Sequence, residues 1–116
     1  MDEYTKEVES FYNDMQKTLP EKESIISGIL EGAQYKCYQA NLESPSGYSQ
    51  CMMKFRKVFE EHNQELEFKT VYGYYKLTSC LSTYVKIPEE VAKCKSRAKA
   101  DMEADFNNFL NHLSKL

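Results

Sequence analysis

The four cysteines are the residues of this chain whose types and spacing could support chemistry. Cys37 and Cys51 enclose a proline in the pattern Cys-x7-Pro-x5-Cys, and Cys80 and Cys94 enclose another in the same pattern. Thiols can form disulfides, bind zinc or exchange electrons. Structural zinc requires ligand pairs two to four residues apart, and thiol oxidoreductases use Cys-x-x-Cys; neither spacing occurs here. The repeat therefore favours disulfides over the alternative of four buried, reduced cysteines.

Four cysteines allow three pairings. The local scheme, Cys37 with Cys51 and Cys80 with Cys94, staples two hairpins, each across its own proline turn. A nested scheme, Cys37 with Cys94 and Cys51 with Cys80, fits the equal spacing as well, whereas the third scheme requires parallel helices. If residues 51–80 are helical, Cys51 and Cys80 lie roughly 43 Å apart, and a disulfide tolerates a Cα separation of only roughly 7 Å. We therefore predict the local scheme.

The other candidates for catalysis are histidines and acidic pairs. His62 and His112 each lie on or beside an apolar stripe, and no second donor has helical spacing to either, which favours packed or surface roles. The adjacent acids at 60–61 and 89–90 point in different directions on a helix and cannot form a catalytic carboxylate pair. The chain has no phosphate-binding glycine loop, Ser-His-Asp set or nucleophile elbow. We predict no enzymatic activity, no catalytic or metal site and no cofactor.

The elements that position the cysteines are predicted to be helices. Apolar residues at steps of three and four predict a first amphipathic helix over about residues 3–17. Thr18 as cap, Pro20 in the first turn and Glu21 three residues after the cap predict the start of a second helix. Turn-forming residues over 41–47 predict its end. The apolar face of the second helix is predicted to be Ile26, Ile29, Leu30, Ala33, Cys37 and Ala40.

The second half of the chain is predicted to hold a long helix and a final amphipathic helix. Ser44 and Pro45 start a helical stretch over residues 46–85, either one long helix or two stacked segments with a kink near 62–67. Its apolar face shifts after Leu66. The residues after the shift are Phe68, Val71, Tyr72, Tyr75, Leu77, Cys80, Leu81 and Tyr84. Pro88 begins the last helix. Its stripe consists of Val91, Cys94, Ala98, Met102, Phe106, Phe109, Leu110 and Leu113.

These features together predict an all-α fold of about four helices in a single domain over residues 1–116. Two disulfide-stapled hairpins, built on the internal repeats 37–51 and 80–94, share the long central helix. Each bridge closes a loop of about 15 residues, which contributes about 3 kcal/mol in the chain-entropy model.

Composition excludes several classes of function. The net charge is −3 and the isoelectric point is about 5.4, so no basic excess is present to neutralise a phosphate backbone, and we predict no nucleic-acid partner. No apolar run approaches the roughly 20 residues of a membrane span. Residues 1–10 resemble neither a secretory signal nor a transit peptide, so we expect no cleaved leader and a soluble protein. A basic run over 93–99 indicates a solvated face, with contact to lipid headgroups or an acidic partner as the weaker alternative.

Large apolar side chains are abundant for a chain of 116 residues, with nine Tyr, six Phe and five Met. Filling an irregular helical core is the favoured explanation. The alternative is that some of them face a partner, because aromatic and Met side chains are enriched at the centres of interfaces.

The layout resembles the twin Cys-x3-Cys helical proteins of the mitochondrial intermembrane space, such as the small Tim chaperones, and is most similar to the "family with sequence similarity 136" proteins. The likeness covers most of the chain, from an amphipathic N-terminal helix to a final helix after the last cysteine. Its matching segments are Val8-Glu9-Ser10, Tyr35-Lys36-Cys37, Gln50-Cys51, Glu65-Leu66-Glu67, Cys80 and Cys94. The outer cysteines of that pattern are absent. Their positions hold Ala33, Phe55, Lys76 and Ala98.

The resemblance implies a location, whereas the role is inferred from the surplus of aromatic and Met side chains and from the lack of recognisable chemistry. Cys37 and Cys51 match the inner pair of the first hairpin, and Cys80 and Cys94 match that of the second. Import without a presequence, trapping by oxidative folding and residence in the mitochondrial intermembrane space are implied. The leading hypothesis is a non-enzymatic accessory or structural subunit, or an assembly factor, of an inner-membrane respiratory complex. Its partners would be protein subunits near the membrane surface.

Three alternatives stay open from the sequence. The first is a small Tim-like holdase chaperone for hydrophobic precursors. The second is a thiol-redox or copper-handling protein, which requires accessible and labile sulfurs. The third is a secreted helical disulfide protein, which the absence of a recognisable signal disfavours.

Overall fold

The computed structural model describes residues 3–115 and consists of four α-helices joined by short turns. Helix α1 spans Glu3–Gln16, α2 spans Leu19–Ala40, α3 spans Pro45–Tyr84 and α4 spans Pro88–Ser114. No strand occurs within the described range. The predicted all-α class with two hairpins around a long central helix is therefore confirmed.

The three prolines lie in the first turns of helices, as predicted. Pro20 is the second residue of α2, and Pro45 and Pro88 are the first residues of α3 and α4. Proline is tolerated at these positions because its missing N–H would have no partner inside the helix. Each proline therefore marks where the chain begins a new helical arm.

The predicted caps have different outcomes. Ser44 caps α3, because its Oγ accepts a hydrogen bond from the backbone N–H of Gly47 at 3.1 Å. The predicted side-chain cap at Thr18 is wrong. The backbone of Thr18 is in the right-handed helical region, and its hydroxyl donates to the carbonyl oxygen of Met15 at 2.8 Å. Its side chain thus closes the end of α1 instead of the start of α2.

Helix α3 is continuous and sets the length of the molecule. Its 40 residues span roughly 60 Å at 1.5 Å per residue, and the molecule measures 65 × 23 × 21 Å. The alternative of two segments broken near 62–67 is therefore wrong. Gly73 of α3 is buried against Met102 of α4, and a Cβ at this position would lie 3.2 Å from Met102 Cε.

The second hairpin, formed by the C-terminal half of α3 and by α4, contains the denser part of the core. Leu81 is fully buried and Leu77 is 2% exposed, and α1 lies across them. The buried residues of this cluster are Phe11, Leu77, Leu81, Cys94, Ala98 and Met102. Phe11 also meets Tyr74 edge-on, with ring centroids 5.8 Å apart. The hydrophobic face of α1 thus covers the core of the second hairpin.

A second cluster joins the C-terminal end of α4 to the middle of α3. Phe106, Phe109 and Leu113 are buried there. The partly buried residues packed against them are Ile26, Ile29, Phe59, Leu66 and Leu110. Every residue of the stripe predicted for α4 is buried or partly buried, so that prediction is confirmed.

Helix α2 is the least embedded element. Cys37 is its only buried residue, and of its predicted face Ile26, Ile29, Leu30 and Ala33 are only partly buried. Ala40 is exposed, so its assignment to the packed face is wrong. The first hairpin, formed by α2 and the N-terminal half of α3, is consequently less filled than the second.

Candidate functional site

The four cysteines form two disulfides in the local arrangement. Cys37 is bonded to Cys51, with Cα atoms 5.6 Å apart, and Cys80 is bonded to Cys94, with Cα atoms 5.9 Å apart. Both bridges lie across proline turns, and one member of each pair is buried. All four sulfurs are therefore structural in this state, and no free thiol is present.

His62 and His112, which the sequence places on different helices, stack on each other. Their ring centroids are 4.3 Å apart and the rings are inclined by 9°. Glu65 approaches His62 with a carboxylate oxygen 3.8 Å from Nδ1. The adjoining cavity holds about 10 Å³, which suffices for at most one water molecule. Within residues 3–115, no group of three or more His, Cys, Asp or Glu side chains could hold a metal ion.

Glu65 is the acid whose environment favours ionisation. The hydrogen bond from Lys69, at 3.1 Å, and the positive charge of Lys69 hold the pKa of Glu65 below its ordinary value. Its carboxylate is exposed and accepts this contact within a single helical turn. The arrangement is that of a surface ion pair, which is worth little in stability and does not prepare an acid for catalysis.

Tyr74 is the other group with a shifted ionisation. Burial raises the pKa of the Tyr74 hydroxyl, and the neighbouring Tyr12 adds to this effect. Tyr12 lies on α1, and its ring centroid is 6.2 Å from that of Tyr74. A phenol whose pKa is raised remains neutral, so Tyr74 contributes packing and no reactive anion.

The basic run of α4 is divided between two roles. Lys93 pairs with Glu90 at 3.4 Å, and Lys95 pairs with Glu7 of α1. The latter pair holds the N-terminal helix against α4. Only part of the predicted solvated face over 93–99 is therefore solvated, because Lys95 is partly buried.

Four large apolar side chains of α3 project into solvent. We call Phe68, Val71, Tyr72 and Tyr75 the α3 stripe; they are 72%, 70%, 53% and 71% exposed. Their spacing of i, i+3, i+4 and i+7 places them on one face of the helix. Lys76 lies 5.0 Å from the centroid of the Tyr72 ring and forms an ion pair with Asp101 at 3.5 Å. The stripe is a continuous apolar surface that no other part of residues 3–115 covers.

A second open feature lies in the first hairpin. The α2/α3 groove is a cavity of about 700 Å³ between α2, the N-terminal half of α3 and the end of α4. Apolar residues make up most of its walls, the Cys37–Cys51 bridge forms part of them, and two lysines lie within one helical turn of the bridge. The residues on which its chemistry depends are Ile29, Gly32, Lys36, Lys54, Phe55 and Leu113.

The favoured prediction that the abundant aromatic side chains fill the core is wrong for the α3 stripe. Phe68 and Leu77 are nine residues apart, which is two and a half helical turns and places them on opposite sides of α3. Phe68 and Leu77 therefore cannot both pack against α4, and Leu77 is the one that does. The shift of the apolar face was thus a signal of two surfaces on one straight helix instead of a kink.

Comparisons with protein-family models, with curated proteins and with solved structures found no match to this chain. The resemblance to the "family with sequence similarity 136" proteins therefore stays a prediction. No helix within residues 3–115 is both long enough and apolar enough to cross a membrane.

Proposed function

We propose that this chain is a non-enzymatic accessory or structural subunit, or an assembly factor, of a mitochondrial inner-membrane respiratory complex, on its intermembrane-space side. The α3 stripe is the observation that carries the proposal. A rigid helix presents two tyrosines, a phenylalanine and a valine to solvent, and aromatic side chains of this kind form the centres of protein interfaces.

The size of the α3 stripe suits an interface core. Its four side chains expose roughly 500 Å² in total, given that a buried aromatic side chain covers 150–250 Å². A patch of this size is at the upper end of what monomeric proteins leave uncovered. A stable complex buries about 800 Å² on each partner. The stripe would thus supply most of an interface, and the polar residues around it would supply the rim.

The disulfides support the compartment within the proposal. Two bridges are compatible with an oxidising environment, and the intermembrane space is the specific one that the resemblance to the twin-cysteine helical proteins implies. A bridge is useful in α2, because this arm has only one buried residue to hold it, Cys37 itself. Accumulation in the intermembrane space that depends on the cysteines is the expected result.

Native-gel sizing of mitochondria that contain tagged protein tests the proposal. The wild-type chain should migrate in a complex much larger than a free monomer. Val71→Glu, which places a charge in the middle of the α3 stripe, should release it as a monomer. The matched control is Ser49→Glu, which adds the same charge to an exposed position about 33 Å away along α3. Migration of the wild-type chain only as a free monomer would contradict the proposal.

A small Tim-like holdase is the second candidate function, and the exposure of Phe68 and Tyr75 favours it as well. A holdase would cross-link to many unfolded membrane-protein segments and would suppress their aggregation. An accessory subunit would instead cross-link to one or two proteins in fixed stoichiometry. Photo-cross-linking from position 72 in mitochondria distinguishes these outcomes by the number of adducts.

A further inference from the structure

The α2/α3 groove combines apolar walls with two positively charged side chains. Ile29 and Gly32 of α2, Phe55 of α3 and Leu113 of α4 contribute apolar wall surface. The volume of about 700 Å³ lies within the range of 300–1,000 Å³ that is typical of small-molecule sites. Gly32 has no atom within 4 Å of the position that a Cβ would occupy, so the space beside it is not filled by the chain itself.

Lys36 and Lys54 give the groove its charge. Each lies within three residues of a cysteine of the Cys37–Cys51 bridge, and no Asp or Glu within residues 3–115 lines the groove. Within residues 3–115, neither lysine forms an ion pair; the described ion pairs of lysine involve other residues. The chain as a whole has 18 acidic and 15 basic residues. A pair of uncompensated lysines in a mostly apolar groove is therefore a local departure from the charge of the protein.

The shape of the groove favours a thin occupant. From Lys36 to Ile29 the wall extends by roughly 10 Å along α2. A two-turn helix of about 10 Å diameter occupies roughly 850 Å³, which exceeds the groove, whereas an extended alkyl chain fits between the walls. One end of the occupant must carry negative charge to complement the two lysines.

We propose that the α2/α3 groove binds a free single-chain carboxylate amphiphile, with its carboxylate between Lys36 and Lys54 and its alkyl chain along Ile29, Gly32 and Leu113. This site is separate from the α3 stripe and does not rest on the function proposed above. Burial of the alkyl chain supplies the affinity, and the lysines fix its direction.

Direct binding of defined carboxylates to the oxidised, full-length protein tests the proposal. Calorimetric titrations with octanoate, decanoate and dodecanoate, each below its micelle concentration, should give affinities that rise with chain length, by up to roughly fourfold for each methylene that the walls cover. Dodecanol should bind at least roughly tenfold more weakly than dodecanoate, because it lacks the charge that the lysines complement. Absence of carboxylate binding, or equal binding of dodecanol, would overturn the proposal.

Two pairs of variants locate the binding. Gly32→Leu places a side chain in the groove and should abolish dodecanoate binding, whereas Gly28→Leu, one turn earlier and outside the groove, should leave it unchanged. Lys54→Gln should weaken binding roughly tenfold, whereas Lys57→Gln, an exposed lysine of α3 outside the groove, should not. Equal effects within either pair would overturn the assignment. Helicity by circular dichroism confirms that each variant folds.

Two further measurements separate this site from its rivals. Val71→Glu should bind dodecanoate as the wild-type chain does, and Gly32→Leu should retain the migration of the wild-type chain on native gels, so the two proposals can fail independently. Vesicles containing anionic phospholipid should not compete with dodecanoate. Association with such vesicles in the absence of dodecanoate binding would overturn the proposal in favour of a membrane surface.

Discussion

The two hairpins have the same disulfide-bridged proline turn, but they differ in how their helices pack. In both, a cysteine pair separated by 14 positions bridges a proline turn, and the Cα separations are 5.6 and 5.9 Å. The second hairpin encloses Leu77 and Leu81 and is covered by α1. The first hairpin has only Cys37 buried on α2 and leaves a groove of about 700 Å³.

The difference teaches that the bridge determines where two arms meet, whereas side chains determine whether they close. Both bridges enclose loops of equal length, so the chain-entropy model assigns them equal stabilisation. The arms differ in the size of the side chains that they place in the hairpin interior. α4 presents Met102, Phe106 and Phe109 to α3, whereas α2 presents Gly32 and Ala33 beside the groove. The first hairpin is therefore open because of the sequence of α2 and not because of its disulfide-bridged turn.

The largest expected contrast is between leucine truncations in the two hairpins. Leu81→Ala should lower the free energy of unfolding by about 2–5 kcal/mol, because Leu81 is fully buried and its removal leaves a cavity. Leu30→Ala, at a partly buried position of α2, should cost about 1 kcal/mol or less. Urea unfolding followed by circular dichroism, with the disulfides intact, measures both. Equal losses would contradict the asymmetry of the hairpins.

Removal of each bridge should reveal the same asymmetry in local motion. Cys37→Ala with Cys51→Ala, and Cys80→Ala with Cys94→Ala, should each lower stability by about 3 kcal/mol in the chain-entropy model. Amide exchange should then differ. The first variant should lose protection throughout α2, which has little else to hold it, whereas α4 of the second variant should stay protected by its packing against Leu77.

Non-reducing peptide mapping is the control for the bridge variants, because the remaining pair must still form. Loss of protection in α4 comparable to that in α2 would indicate that the second hairpin also depends on its bridge. Intact protection of α2 without its bridge would indicate that a ligand or partner holds that arm.

The disulfide-bridged turns and the helices could be predicted well from the sequence, because their signals are local. Proline in a first turn and apolar residues at steps of three and four act within one helix, so their consequences can be read without the rest of the fold. The exposure of Phe68 and the stacking of His62 on His112 could not be predicted in this way. They depend on how α3 and α4 are rotated against each other, and helical periodicity identifies a shared face without identifying what lies opposite.

The α2/α3 groove could not be predicted from the sequence, for a related reason. In the sequence, Gly28 and Gly32 form a small-residue strip, which either weakens a helix or permits close packing. Close packing does not occur, because no atom lies within 4 Å of the missing Cβ of Gly32. The first hairpin is thus not filled, and the proposed ligand site depends on the space that is left. The part of the molecule that was not predicted is therefore also a candidate functional part.

The helix starts at the two disulfide-bridged turns offer a smaller contrast. Ser44 and Ile87 both precede their helices in an extended conformation, but only Ser44 accepts a side-chain hydrogen bond. Ser44→Ala should cost about 1 kcal/mol of stability, and Ile87→Ser should gain about 0.5–1 kcal/mol, because a hydroxyl there can accept from the N–H of Glu89, whereas the N–H of Glu90 already donates to the carbonyl oxygen of Ile87 at 3.0 Å. Thermal unfolding measures both. A loss of stability in Ile87→Ser would indicate that the half-exposed Ile87 side chain contributes more by packing than a cap would.

The smallest expected contrast is between two helical glycines. Gly32→Ala should stabilise the protein by about 0.5–1 kcal/mol, because alanine favours the helix and its methyl group enters open space. Gly73→Ala should gain less or lose stability, since its Cβ would lie 3.2 Å from Met102 Cε in the closed second hairpin. Chemical denaturation of both variants provides the comparison.

A double-mutant cycle identifies the cause of that contrast. Met102→Leu removes the atom that Gly73→Ala would crowd, and on its own it should cost less than about 1.5 kcal/mol. In the combined variant, the alanine at position 73 should recover the helical stabilisation that alanine provides at position 32, which appears as a favourable coupling energy. Simple additivity of the two changes would mean that Met102 adjusts freely, and that the second hairpin is less tightly packed than its buried residues indicate.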